Sequence, residues 1–380
     1  MPQRDKRAER VLRKRRYDAR ATKVGRGDDR TAPMAGLRNF LILCFAGLML
    51  AACTTGERDT RGIQPIPAKL VQEMRAKGMT PADPIMVRIY KQESELEIWK
   101  RDRSGSYSLL KTYPICRWSG KLGPKKREGD RQAPEGFYMV NMPLMNPMSQ
   151  FYLSFNLGYP NQLEEALGYE GAALMVHGAC SSSGCYAMTD AGIAEIYAVA
   201  REALRGGQTA FQVQALPFRM TPQNLARHRD DPNMTFWLNL KQGSDQFDVT
   251  RQPPRVAACA SRYVFGAKPI DPAMPFDPLA PCPPYEVDSS VATQVAAKAE
   301  RDKAAVAALS ASVPVTPALA YSDGGMHEAF RTVLRDKGPE KLGAMTSSSV
   351  PVSRPSAALA DPYSTAPVDP QTTASVAGQQ

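Results

Sequence analysis

MVHGACSSSGCYAMTD, residues 175–190, concentrates more reactive side chains than any other part of the chain. An apolar run delivers His177 into a loop of small residues that carries Cys180 and Cys185, and Thr189 or Asp190 can cap a helix that follows. Ile193, Ile196, Tyr197, Ala200, Ala203 and Leu204 recur at helical spacing up to Gly206-Gly207, and that stripe reads as core packing. A histidine near a thiol in such a loop suits thiol acyl transfer. The imidazole takes the thiol proton, the thiolate attacks a carbonyl, and backbone N–H groups converge on the developing oxyanion. Gly184, directly before Cys185, lets the backbone approach the reacting centre.

On the N-terminal side, Ala68–Lys77 reads as a short helix closed by Gly78, and Pro81-Ala-Asp-Pro84 marks the entry to a domain. Ile85–Tyr90, Leu96–Lys100 and Tyr107–Ile115 read as closely spaced strands, which favours a meander over βαβ units. Residues 118–134, WSGKLGPKKREGDRQAP, form a charged surface loop. Gly136–Val140, Phe151–Leu157 and Ala172–Val176 return to strand chemistry, with a short helix over Asn161–Leu167. Beyond the central helix, Phe211–Leu216 reads as a strand, Pro222–His228 and Phe236–Lys241 as helical turns, and Val256–Phe265 as a last strand. The fold class expected is mainly β with accessory helices.

The 380 residues carry a net charge of +10, but residues 1–52 hold 13 Lys/Arg against 5 Asp/Glu. The remainder is nearly balanced, with 35 basic and 33 acidic residues, so no basic domain is left to track nucleic acid. Basic residues followed by the apolar run Leu37–Ala52 have the pattern of a signal peptide, with Met34 as an alternative start. Leu50-Ala-Ala-Cys53 resembles a bacterial lipobox, which makes Cys53 the candidate lipidation site and membrane anchor. The domain reading is residues 1–53 as leader and lipobox, 54–83 as tether, 84–265 as catalytic domain, and 266–284 as linker. Residues 285–380, rich in Ala, Pro and Ser, read as a mostly disordered tail with one Ala-rich candidate helix over Val291–Leu309. On that reading a chain ending near residue 284 keeps the catalytic fold.

The segment around Cys185 resembles the signature of L,D-transpeptidases of the YkuD type, and more closely the YafK-like murein transpeptidase branch. Ile115-Cys-Arg-Trp-Ser-Gly-Lys-Leu-Gly-Pro124, Glu128-Gly-Asp-Arg-Gln-Ala-Pro-Glu-Gly-Phe-Tyr138 and Trp237-Leu-Asn-Leu-Lys-Gln-Gly243 support the resemblance, which spans about residues 84–265. It implies a YkuD-like catalytic fold, Cys185 as nucleophile, His177 as proton donor and acceptor, and an oxyanion site from the backbone of Ser183, Gly184 and Cys185. It also implies peptidoglycan stem peptides as substrate, an amine or a wall-linked lipoprotein as further partner, no cofactor, and a place on the periplasmic side of the envelope, anchored to inner or outer membrane. Hydrolysis by the same Cys/His pair, and a non-catalytic wall-binding protein, are the alternatives. The wider family usually has histidine at the Ser183 position and arginine where Ala187 stands.

Other readings compete at several residues. His177, Cys180 and Cys185 make only three ligands where a closed zinc site takes four, so no metal is expected. Cys180 can pair with Cys185, which would silence the thiol, or with Cys116; Cys259 can pair with Cys282, and spacing does not decide. Lys121, Lys125 and Arg131 can receive a substrate carboxylate or simply solvate their loop. Asp190 can cap its helix or orient His177, and His228, between two arginines, reads as a surface histidine.

Overall fold

A computed structural model of the chain describes residues 59–316 and 324–346. The leader, Met34, Cys53 and residues 347–380 lie outside the described residues. Among those described, no helix is long and apolar enough to cross a membrane.

The three expected N-terminal strands form as β1 (Ile85–Tyr90), β2 (Glu95–Arg101) and β3 (Tyr107–Pro114), an antiparallel meander. The other neighbour of β1 comes from much later in the chain: β10 (Ala210–Leu216) pairs with it in parallel, with Val87 opposite Val213. β5 (Gly136–Asn141) then adds antiparallel to β10, giving the order β3-β2-β1-β10-β5. Every residue of β1 is buried, as suits a central strand covered on both faces.

A second five-stranded sheet holds the segment around Cys185. Its order is β4-β9-β8-β7-β6, built from β4 (Arg117–Trp118), β6 (Met145–Asn146), β7 (Ser154–Asn156), β8 (Met175–His177) and β9 (Tyr186–Ala187). The strands are shorter than their apolar runs suggested, because glycines and turns interrupt each run. β8 and β9 are parallel, with Val176 opposite Tyr186 and His177 opposite Ala187. Phe155, Val176 and Tyr186 point to the core from successive strands and are fully buried. The helices begin with α1 (Ala68–Ala76) and α2 (Gln162–Ala166). Next comes α3 (Asp190–Arg205), which packs on β7, β8 and β10 through the stripe of Ile193, Ile196, Tyr197, Ala200, Ala203 and Leu204.

Local capping explains where these helices start. Thr189 accepts from the Gly192 N–H at 3.2 Å, so Thr189 rather than Asp190 is the cap of α3. Asn161 and Glu164 close a reciprocal capping box on α2, with Asn161 N–H donating to Glu164 Oε2 at 2.8 Å. α4 (Pro222–Arg227) follows, and then α5 (Met234–Thr250), far longer than the turn expected over 236–241. Gly243 sits inside α5 because a Cβ there would lie 2.4 Å from Phe265 and 2.5 Å from Phe137; packing across the helix outweighs glycine's low propensity. The stretch read as one last strand is a hairpin, β11 (Val256–Cys259) and β12 (Arg262–Phe265), turned at Ala260 and Ser261.

Order continues past residue 265. Cys259 is bonded to Cys282, and β13 (Lys268–Pro269) pairs with β14 (Tyr285–Glu286), so the expected linker is stapled to the domain. The Ala-rich candidate becomes α6 (Ser289–Leu309), which packs on α4 and α5. Lys298 reaches Asp245 at 2.9 Å and Asp302 at 2.7 Å, and these polar contacts replace the large apolar groups the composition lacked. α7 (Glu328–Gly343) covers Cys116 and Cys180 with Met326, Phe330 and Leu342. Two segments of the stretch read as a tail, 285–316 and 324–346, therefore carry docked structure.

Candidate active site

β8 and β9 bring His177 and Cys185 to one face of the second sheet. His177 faces Ala187, and Cys185 lies two residues before Ala187 on the same side of the pleat. A two-residue rise of ~6.6 Å and a strand spacing of ~4.8 Å place the two Cα atoms about 8 Å apart, a diagonal that an imidazole spans. The Cys185 thiol donates to the Ala173 carbonyl at 3.8 Å and accepts from the Met175 N–H at 3.4 Å. Cys185 is half-buried and is the only free cysteine among the described residues. Cys180 is bonded to Cys116, with Cα atoms 5.2 Å apart, so neither a Cys180–Cys185 bond nor a His177/Cys180/Cys185 ligand set exists.

His177 is buried, tilted against the Phe151 ring at 4.6 Å, and its Nδ1 lies 2.6 Å from the Gly178 carbonyl. A carbonyl only accepts, so Nδ1 carries the proton and Nε2 keeps its lone pair. Burial lowers the imidazole to about 4, opposed in part by that Gly178 contact. Burial likewise pushes the Cys185 thiol up, while the Met175 N–H and the Lys125 charge pull it back. The resting pair is thus neutral thiol and neutral imidazole. The group that orients His177 is Gly178, not Asp190. Asp190 Oδ1 accepts from Ala179 N–H at 2.9 Å and braces the loop, whose Ala179 and Cys180 both have positive φ.

The amides next to the nucleophile are arranged differently from the sequence expectation. Gly184 N–H and Cys185 N–H both donate to Ser182 Oγ, at 3.3 and 3.1 Å, and Ser182 donates to the Cys185 carbonyl at 2.7 Å. Buried N–H groups need an acceptor, and this hydroxyl supplies one. The sequence reading missed Ser182. Three consecutive serines look alike in sequence, and only the folded turn selects the one that bends back. Ser183 is exposed at the surface of the loop.

The basic loop also divides. Lys125 is buried and bonds Asp130 Oδ1 at 2.5 Å and the Arg127 carbonyl at 2.7 Å, so it neither solvates the loop nor presents a free ammonium. Lys121 and Arg131 remain exposed. The backbone of Arg131 and Gln132 runs beside Gly184, where a Cβ would sit 3.7 Å from the Gln132 carbonyl. Lys121, Lys126, Arg127 and Gln132 line a cavity of about 500 Å³. Arg117 faces Ala187 across β4 and β9, but its guanidinium turns to the Trp118 and Gly325 carbonyls and so does not stand in for the arginine absent at 187. His228 is not on the surface: it is buried, stacked on Phe218 at 4.8 Å, and bonded to Gln92 at 2.6 Å.

The chain matches, over residues 85–209, the YkuD family, described as an L,D-transpeptidase catalytic domain. It is 41% identical over 236 residues to the putative L,D-transpeptidase YafK of Escherichia coli K12, covering 62% of this chain and 89% of that one, with the same figures for the O157:H7 protein. Solved structures with a likeness include Pgp2, a helical cell shape determining protein from Campylobacter jejuni. It shows 16% identity and a TM-score of 0.30, covering 50% of this chain and 79% of that one. Bd1075 of Bdellovibrio bacteriovorus shows 13% identity and a TM-score of 0.27, covering 46% of this chain and 76% of that one.

Proposed function

The chain belongs to the YkuD-type L,D-transpeptidase family, on the branch of YafK, and from that premise we propose that Cys185 carries an acyl group taken from a peptidoglycan stem peptide. One observation supports this above the others: a single free thiol shares a sheet face with a histidine whose Nδ1 is tied to a carbonyl, leaving Nε2 to take a proton.

In the proposed reaction, His177 Nε2 takes the Cys185 proton as sulfur attacks the carbonyl carbon of stem residue three. The C–S bond forms and the carbonyl oxygen takes up the negative charge. The N–H groups of Ser183, Gly184 and Cys185 receive that charge, two of them exchanging the Ser182 hydroxyl for it. The C–N bond to the fourth residue, D-alanine, then breaks, and the imidazolium protonates the leaving amine. An acceptor amine attacks the thioester, gives its proton to His177, and sulfur leaves to be reprotonated. With water as acceptor the outcome is hydrolysis. Lys121 and Arg131 are the exposed cations for a substrate carboxylate, whereas Lys125 acts by its field on the thiol.

Two disulfides suit an oxidising, exported setting, which supports the periplasmic side of the envelope with Cys53 as lipid anchor. Incubation with a tetrapeptide stem followed by intact-mass measurement tests the proposal: the mass of the acyl tripeptide should appear on the Cys185 peptide and be absent in Cys185→Ala. An adduct on any other residue, or turnover that survives Cys185→Ala, overturns it. Product analysis with and without an amine separates transfer from hydrolysis.

A further inference from the structure

Lys91 lies one residue past β1, and its ammonium is wholly buried against backbone oxygen. It donates to the carbonyls of Lys121 at 2.6 Å, Gly123 at 3.2 Å and Ala133 at 2.8 Å, with Glu135 Oε1 at 3.0 Å. Glu135 Oε1 also accepts from Gly123 N–H at 2.7 Å, and Oε2 accepts from Trp237 Nε1 at 2.8 Å. Both charged side chains are 0% exposed. A pair so far removed from water is a weak stabiliser compared with apolar residues of the same volume, which raises the question of what else it secures.

Its carbonyl partners answer that. Residues 121 and 123 belong to the outgoing limb of the 119–134 loop, and residue 133 to the returning limb. Gln132 repeats the clasp nearer the surface, accepting from Lys121 N–H at 2.7 Å and donating to the Lys121 and Gly123 carbonyls at 2.6 and 2.7 Å. Two polar routes run from the clasped loop to the nucleophile. Ala133 N–H donates to the Ser119 carbonyl at 3.0 Å, and Ser119 Oγ lies 3.0 Å from Ser182 Oγ, the acceptor of the Gly184 and Cys185 amides. On the other side, the Tyr186 hydroxyl donates to the Pro134 carbonyl at 2.6 Å. Cys185 is therefore held between two residues that each bond to the clasped loop.

We propose that Lys91 and Glu135 are positioning residues: they close the 119–134 loop around one buried ammonium, and the closed loop fixes the backbone of Ser182–Tyr186 that presents Cys185. The inference rests on the reading of Cys185 as nucleophile. A positioning role differs from simple stabilisation in what survives when stability is restored.

The test uses the full chain, with Lys91→Met, the double variant Lys91→Met/Glu135→Leu, and Gln132→Ala. Lys91→Met strands a buried carboxylate and should melt earlier, while the double variant removes both charges and should recover much of the loss. Thiol reactivity is read as the pH profile of iodoacetamide alkylation mapped to the Cys185 peptide, and turnover as release of D-alanine from a tetrapeptide stem. In the double variant the alkylation profile should move to higher pH, because Lys125 rides on the released loop, and turnover should fall about a hundredfold despite the recovered melting temperature. Gln132→Ala should shift the profile in the same direction by less. A double variant with wild-type alkylation and turnover overturns the proposal. Should the double variant not fold, an unchanged profile in Gln132→Ala overturns it alone. Wild-type protein that alkylates but processes no stem peptide would count against the transpeptidase reading, and the alkylation profiles still decide the clasp.

Discussion

Cys116 and Cys180 are bonded across β4 and the loop that follows His177, beneath Met326 and Phe330, and that bond leaves Cys185 as the thiol of the loop. The disulfide and the nucleophile thus divide two roles that their spacing of five residues left interchangeable.

Cys180→Ala should retain acylation at Cys185 while losing stability. The bond closes a sequence separation of 64, for which the chain-entropy relation gives about 4 kcal/mol. Chemical denaturation paired with intact-mass trapping checks both halves. Abolished acylation in a folded Cys180→Ala protein would place the disulfide in the chemistry itself.

The acid limb of kcat/KM should lie near pH 4. His177 is depressed to about 4 by burial, so it stays neutral and able to accept a proton well below the usual histidine range. The alkaline limb, set by a thiol raised above its ordinary 9.0, should lie beyond pH 9. A pH–rate profile on a tetrapeptide stem decides; an acid limb at pH 6.5 would show that His177 is solvated in the free enzyme.

His228→Gln should make stability less sensitive to acid. Burial holds His228 at about 4 in the folded protein against 6.5 ordinarily, so between those values the unfolded chain binds more protons. Stability from this group is full above pH 6.5 and falls as pH drops toward 4, by about 3 kcal/mol in all. Glu93 and Glu164, raised by burial to about 6 and about 7, act in the opposite sense, so the wild-type curve sums opposing effects. The variant isolates one. Measured from pH 7 to pH 4, the stability difference should move by about 3 kcal/mol in favour of His228→Gln.

A chain ending at residue 316 should be less stable by several kcal/mol. Met326, Phe330 and Leu342 cover the Cys116–Cys180 bond, and each buried apolar side chain of this size is worth about 1.5–3 kcal/mol. Ending the chain at residue 284 should cost more, since it also removes α6 and its Lys298 and Asp302 contacts to α5. Melting curves of the two truncations should fall in that order. Equal curves would mean that α6 adds nothing.

Much of this protein is legible residue by residue. The Ile193–Leu204 stripe, the Asn161–Glu164 capping box and the His177–Cys185 segment are local patterns, and each becomes the element its spacing implies. Periodicity and capping involve residues three or four apart, so a linear reading contains them. His228 shows where that reading stops. Its arginine neighbours in sequence suggested solvent, while Phe218 and Gln92, which enclose it, come from other elements.

The same limit separates the rest. Cys116 with Cys180, Lys91 with Glu135 and Ser119 with Ser182 are pairs 44 to 64 residues apart. Each meets because β1 lies beside β10, and β4 beside β9, and no run of residues encodes that adjacency. Sequence alone determined the identity of the nucleophile, its histidine and the family they mark. The tertiary structure decided which cysteines are consumed, which serine holds the amides and which lysine is buried. Those choices depend on what a side chain meets after the chain has crossed between sheets, and burial then makes each polar group bind whatever partner the fold has brought to it.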